Sequence, residues 1–231
     1  MQSREEADYA ARQMFQDMFS YISTHIAEIA GQVGTHLAVS LLSLIIAAAI
    51  GIPCGYLASK SVKREIVVST PFEILRVVPS LALLILLIPL MGTGVLPAVT
   101  ALTILAIPPI LLNTIVGFRS VPDFMVESAS GIGMTEKEIL KKVRIPSALP
   151  MIFAGLRTGL VEVVASATLA AKIGAGGLGE IIFTGLGLSR TDLLILGGIL
   201  VAILSLLCGL DRKSTRLNSS HPTTSRMPSS A

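Results

Sequence analysis

Apolar residues fall in long runs along this chain, separated by short polar stretches. Crossing a bilayer takes about 20 mostly apolar residues over a hydrocarbon core of about 30 Å. Five segments meet that demand: residues 34–58, 66–91, 95–116, 149–171 and 191–210. The second is uneven. Its first part, IVVSTPFEILRVVPS, holds Glu73, Arg76, Pro71 and Pro79, and strong apolarity runs only from Leu81 to Met91. A proline lacks the N–H a helix needs and disfavours helical geometry in the residue before it. This span is therefore predicted to start before Pro79 and to break there. The third span carries Pro108-Pro109 inside it. Ahead of all five, Phe15, Met18, Phe19, Ile22, Ile26 and Ile29 recur three and four apart within a polar segment. That spacing predicts an amphipathic helix, lying along the membrane surface or packed on a neighbour. It lacks the basic start and apolar core of a signal peptide. The expected fold class is an all-α membrane protein of about five transmembrane helices.

Loop charge orients the spans, because cytoplasmic loops are enriched in Lys and Arg. Lys60, Lys63 and Arg64 follow the first span; Arg119, Lys137, Lys141, Lys142 and Arg144 lie between the third and fourth. The turn after the second span has no basic residue, and residues 172–190 hold only Lys172 and Arg190. With five spans, both basic loops fall on one side, the cytoplasm, and the N-terminus falls outside.

The longer basic loop, residues 119–146, reads RSVPDFMVESASGIGMTEKEILKKVRIP. Pro122-Asp123 is a helix start, and Val126 and Ala129 share one helical face. Gly131 and Gly133 break that helix. Thr135 with Glu138 three residues on forms a capping box for a second short helix, whose apolar stripe is Ile139, Leu140 and Val143. Pro146 is expected to end it. The predicted product is a helix–Gly–helix hairpin at the cytoplasmic membrane surface.

Here the sequence acquires a family likeness. Glu127-Ser128-Ala129, Gly133 after three intervening residues, and Val143-Arg144-Ile145-Pro146 after nine more resemble the EAA loop of ABC importer permeases. The departures are Ser128 for Ala, Val143 for Ile and Ile145 for Leu. The resemblance extends over residues 34–210 through VPSLALL (Val78–Leu84), AGLRTG (Ala154–Gly159), ATLAA (Ala167–Ala171) and IGAGGLGE (Ile173–Glu180). Those stretches are similar to importers of glycine betaine, carnitine and choline. The resemblance implies a type I importer permease fold in a bacterial cytoplasmic membrane, with lipid around it. Residues 1–32 would form an extracytoplasmic amphipathic segment and residues 33–210 the permease domain. It implies that Glu127, Ser128, Ala129, Gly133, Ile145 and Pro146 couple the chain to a separate ABC ATPase. That ATPase would carry the ATP and Mg, and this chain would bind no cofactor and catalyse no reaction. The further partners implied are a second permease chain, identical or related, and an extracytoplasmic substrate-binding protein. Methionine or another small solute is the alternative cargo; a stand-alone channel or ion-coupled carrier would explain the spans but not the loop.

Other motifs are weighed against that reading. Gly174, Gly176 and Gly179 match a dinucleotide fingerprint in form, but that motif needs a strand before it. With Gly177 they are better read as a close-packed turn at the outer mouth. No phosphate-binding G-x-x-x-x-G-K-[ST] occurs. His25, His36 and His221 lack metal-ligand spacing, and Cys54 and Cys208 read as small apolar residues. Glu162 sits inside the fourth span with Arg157 five residues before it. A charge there must face a cavity or a partner, so Glu162 either lines the path of a cationic solute or pairs within a dimer or with Lys172. Glu73 and Arg76 are expected to form an ion pair. Pro79 and Ser80, at the predicted break, are candidates for the path.

Composition agrees with a bilayer: 52% of residues are hydrophobic and 14% charged, where a soluble domain has about 25% charged. With no Trp, three Tyr and seven Phe, the chain is poor in material for nucleic-acid stacking surfaces or an aromatic cage. The net charge of +3 is local. Arg212, Lys213, Arg216 and Arg226 against Asp211 account for it, leaving 14 basic and 14 acidic residues elsewhere out of 18 and 15. That stretch, residues 211–231, resembles the conceptual translation of sequencing-adapter DNA. It is set aside from the fold, and the natural C-terminus is then expected to be missing.

Overall fold

A computed structural model describes residues 2–209. The stretch 211–231, with His221, lies outside the described residues. Among those described every regular element is helical: α1 (Gln2–Thr24), α2 (Ile26–Ser59), α3 (Val62–Leu75), α4 (Ser80–Met91), α5 (Val95–Arg119), α6 (Asp123–Gly131), α7 (Glu136–Ile139), α8 (Ile145–Ala170), α9 (Gly179–Gly187) and α10 (Thr191–Gly209).

The helix α5 is the axis. Of its apolar stretch 72% is buried, against 28% in α2 and in α10, so those two form a rim with outward apolar faces suited to lipid. Close approach of backbones builds the centre. A Cβ on Gly55 would come within 2.8 Å of the Leu111 carbonyl oxygen, and one on Gly155 within 2.9 Å of the Pro109 carbonyl oxygen. Lipid offers no hydrophobic drive between helices, so such small-residue contacts supply the packing. Pro108 and Pro109 stay inside α5 without ending it.

The predicted break is present. Two helices, α3 and α4, meet at 92° across residues 76–79. Neither is long enough to span alone; together they are apolar enough to count as a fifth candidate span, bent at its centre. Pro79 caps α4 with φ −58° and ψ 135°.

Three expectations are corrected. The helix carrying the first span begins at Ile26, two turns before Gly34, and Ile26 and Ile29 belong to it and not to the amphipathic helix before it. The apolar stripe of that segment is also divided. Met18, Ile22 and Ile29 pack on Leu178, Ile181, Leu193 and Leu196, while Phe15, Phe19 and Ile26 are exposed. Pro146 does not end the second hairpin helix. The chain widens into a π-helical turn over Leu140–Arg144 and continues as α8, with Pro146 in its first turn. A π turn shifts the hydrogen-bond register, and a first-turn proline needs no N–H partner there. Finally, α9 was not foreseen, because three of its nine residues (Gly179, Gly185 and Gly187) are poor helix formers.

Two contacts define the ends of the bundle. Arg119, closing α5, forms an ion pair with Glu65 on α3, and its Nε donates to the Ser59 carbonyl at the end of α2 at 3.4 Å. The two basic loops therefore share one end. Opposite them, Gly94 N–H donates to the Ile173 carbonyl at 2.7 Å, joining the α4–α5 turn to the glycine-rich turn.

Candidate functional site

The hairpin of residues 122–139 begins with Pro122 in extended geometry and Asp123 in the first turn of α6. Gly133 takes φ +85°, and the Met134 N–H returns to the Ala129 carbonyl at 3.1 Å. This is the left-handed closure that glycine makes at a helix C-terminus. Thr135 then opens α7. Its backbone N–H donates to Glu138 Oε2 at 3.1 Å, and the Glu138 N–H donates to Thr135 Oγ1 at 3.4 Å. Lys142 Nζ donates to Glu138 Oε1 at 3.1 Å. Hydrogen bonding from the Thr135 backbone, with Lys142 beside it, holds the Glu138 carboxyl at about 2, below its ordinary 4.5. The hairpin is thus fixed from within.

Of the six motif residues, Glu127, Ser128 and Pro146 are exposed, Ile145 is half-buried and Ala129 is buried. Ala129 anchors the hairpin, leaving Glu127 and Ser128 to face outward. Phe124 at 67% exposure and Ile132 at 80% add an apolar surface the sequence reading missed. The available signal was two large apolar residues lying off the Val126–Ala129 face.

A cleft of about 850 Å³ runs along α8, lined by Leu44, Phe153, Arg157, Thr158, Glu162 and Cys208 among others. It unites Glu162 and Arg157; Pro79 and Ser80 lie at the bend and do not line it. Within the chain, neither the Glu73–Arg76 pair nor a Glu162–Lys172 pair forms among the described residues. Arg157 instead donates to the Gly209 carbonyl at the end of α10. The ammonium of Lys172 lies 5.2 Å over the Phe183 ring.

In the glycine-rich turn, Gly174, Gly176 and Gly177 have φ between +78° and +88°. A Cβ on Gly179 would meet the Thr168 carbonyl oxygen at 2.0 Å. The turn follows a helix, and no strand occurs among the described residues, so the context of a dinucleotide motif is lacking. Beneath it lies His36, 1% exposed, whose role the sequence did not reveal. Its Nε2 lies 2.9 Å from the Val164 carbonyl oxygen.

Comparison with known proteins agrees with this architecture. Residues 47–210 match the family described as binding-protein-dependent transport system inner membrane component. The chain is 46% identical to the carnitine transport permease protein OpuCB of Listeria monocytogenes, over 76% of this chain and 80% of that one. It is 38% identical to the glycine betaine/carnitine/choline transport system permease protein OpuCB of Bacillus subtilis, covering 82% and 88%. The fold is similar to inward-facing structures of the MetNI methionine ABC transporter, with a TM-score of 0.71 and 25% identity over 80% of this chain and 93% of that one. The broken span, the hairpin and the helical bundle are those of a multi-pass transport subunit, and not of an enzyme. This chain belongs to the inner-membrane permease family of binding-protein-dependent ABC importers. Permeases of that family work with a separate ATPase and a substrate-binding protein.

Proposed function

We propose that this chain forms the transmembrane path of an ATP-driven importer of osmoprotectants of the glycine betaine, carnitine and choline class. The observation that carries the cargo is the likeness to permeases named for those solutes, at 46%, 38% and 37% identity. The fold likeness to a methionine transporter is weaker in sequence, at 25%, and leaves methionine as the second reading. The N-terminus lies outside and the basic end faces the cytoplasm, a reading supported by the shared end of the two basic loops. Two permease chains, identical or related, enclose the path. The hairpin docks on the ATPase through its outward face at Glu127, Ser128, Phe124 and Ile132, and Gly133 and Ala129 hold its shape. ATP and Mg belong to the ATPase.

In this mechanism the ATPases close on ATP and move the hairpins. The π turn joins the hairpin to α8 within one rod, so displacement of the hairpin displaces the helix that carries Glu162. Rigid-body movement of α8 changes which side the cleft faces. Glu162 and Arg157 border the path, Pro79 and Ser80 form its bend, and Gly174, Gly176, Gly177 and Gly179 shape the outer mouth near the docked binding protein.

The test is uptake of labelled glycine betaine, carnitine, choline and methionine in cells holding the chain, its ATPase and its binding protein. Osmoprotectant uptake abolished by an inactive ATPase and lowered by Gly133→Val, with the permease still in the membrane, is the expected result. Uptake that persists without ATP hydrolysis overturns coupling. Uptake of methionine alone overturns the cargo.

A further inference from the structure

At the end of the bundle that carries the basic loops, α2, α3 and α5 form a corner whose charge is one-sided. Residues 60–65 hold Lys60, Lys63 and Arg64 against Glu65 alone, and Glu65 is taken by Arg119. The other basic loop, residues 119–146, is nearly balanced: Arg119, Lys137, Lys141, Lys142 and Arg144 stand against Asp123, Glu127, Glu136 and Glu138. Among the described residues neither Lys63 nor Arg64 forms an ion pair, and both are exposed. The Lys60 ammonium lies 4.5 Å over the Tyr56 ring, and that ring meets Phe118 of α5 at 4.9 Å.

The depth of this corner follows from helix rise. A Cβ on Gly51 would meet Ile107 and Ile110, midway along α5. From Gly51 to Lys60 the helix descends about 14 Å at about 1.5 Å per residue, and half of a hydrocarbon core of about 30 Å is about 15 Å. Lys60 therefore stands at the edge of the hydrocarbon, with Arg119 beside it on the Ser59 carbonyl. Rings at that depth occupy the membrane–water interface that suits them. Large apolar side chains around the corner face out of the bundle: Leu57, Val62, Ile66, Val67 and Val116 are between 50% and 73% exposed. Ile66 and Val67 follow Lys63 by three and four residues, so they share its side of α3. Charge, rings and apolar surface are the three layers of a phospholipid's own profile.

We propose that this corner binds an anionic phospholipid, with Lys63 and Arg64 on its phosphate, Lys60 and the Tyr56–Phe118 pair at its glycerol, and Leu57, Ile66 and Val67 along its acyl chains. The inference needs the spans to cross a bilayer and is independent of the cargo. Adjacent Arg and Lys offer a phosphate a planar fork and a point charge, and basic clusters beside a span attract anionic lipid. A zwitterionic lipid carries a cation of its own, which Lys63 and Arg64 repel. Free phosphate has the charge but no chain for the apolar side chains to cover.

The experiment titrates the purified permease–ATPase complex in detergent with phosphatidylglycerol or phosphatidylcholine and follows the tightest bound lipid by native mass spectrometry. Phosphatidylglycerol is expected to bind and phosphatidylcholine to bind far more weakly. Lys63→Gln with Arg64→Gln should weaken phosphatidylglycerol by roughly thirtyfold. Lys137→Gln with Lys141→Gln, equal in charge removed but placed on the hairpin, should leave it unchanged. Inorganic phosphate should not displace the lipid. Thermal melting checks the fold of each variant, and co-purification of the ATPase checks assembly. Unaltered phosphatidylglycerol affinity in the corner variant, an equal loss in the hairpin variant, or equal binding of phosphatidylcholine overturns the site. Displacement by inorganic phosphate assigns the corner to a free anion, and loss of the ATPase from the folded corner variant assigns it to that subunit; either result also overturns the lipid.

Discussion

His36 Nε2 donates to the Val164 carbonyl at 2.9 Å, tying α2 to α8 from a side chain that is 1% exposed. A carbonyl can only accept, so the proton is on Nε2 and Nδ1 is an acceptor. That nitrogen has no partner, and it lies where a Cβ on Gly177 would approach to 3.1 Å. One histidine thus braces two helices and the glycine-rich turn. His36→Ala is expected to lower stability by about 2 kcal/mol through the lost bond and the void, read from thermal unfolding in detergent. Gly177→Ala should also destabilise, through its φ of +88° and its clash with His36. The pair together should cost less than the sum of the singles, because the clash vanishes with the imidazole. Strict additivity would show that the contact carries no energy.

The capping box at the hairpin should fail only in acid. The Glu138 carboxyl is held at about 2 against an ordinary 4.5. A depressed carboxylate contributes its stability in full above the unfolded value and loses it as pH falls through the folded one. Hydrogen-exchange protection of residues 135–145 should therefore be level from pH 7 to about 4.5 and decline between 4.5 and about 2. Glu138→Gln should remove that decline.

The turn at Gly133 is strained for any other residue, though not crowded. Its φ is +85°, and a Cβ there would meet nothing within 4 Å. Gly133→Ala should cost about 1 kcal/mol of hairpin stability from backbone strain alone, with Gly133→Asn milder and Gly133→Val worse. Transport and ATPase stimulation should follow the same order. Equal activity in all three would separate transport from this turn.

Gly179 is limited by space. Gly179→Ala would drive a Cβ into the Thr168 carbonyl, 2.0 Å away, and is expected to cost about 3 kcal/mol or to prevent folding. Gly131→Ala, with nothing within 4 Å of its Cβ, is the matched control and should leave yield and melting temperature unchanged.

The spans were legible because a bilayer imposes a length on apolar runs that no tertiary contact can alter. Thr135 and Glu138 were legible for a similar reason: a capping box closes within four residues. Pro146 misled because proline is as much a helix starter as a helix stop: after the π turn it sits in the first turn of α8, where no N–H partner is needed. The helix α9 was hidden by its glycines, two of which, Gly179 and Gly185, lie where a Cβ would meet the backbone of Thr168 and Leu194.

Sequence by itself determined the class of protein, the break at Pro79 and the helix–Gly–helix hairpin, since each depends on residues near one another in the chain. Tertiary structure decided which distant side chains meet. It placed His36 under Gly177 and gathered Tyr21, Glu28, Glu180 and Phe183 around one pocket. In the sequence, three Tyr and seven Phe read as poor material for an aromatic cage. Chain spacing does not set through-space distance once helices pack, so the folded bundle alone could bring those rings and carboxylates together.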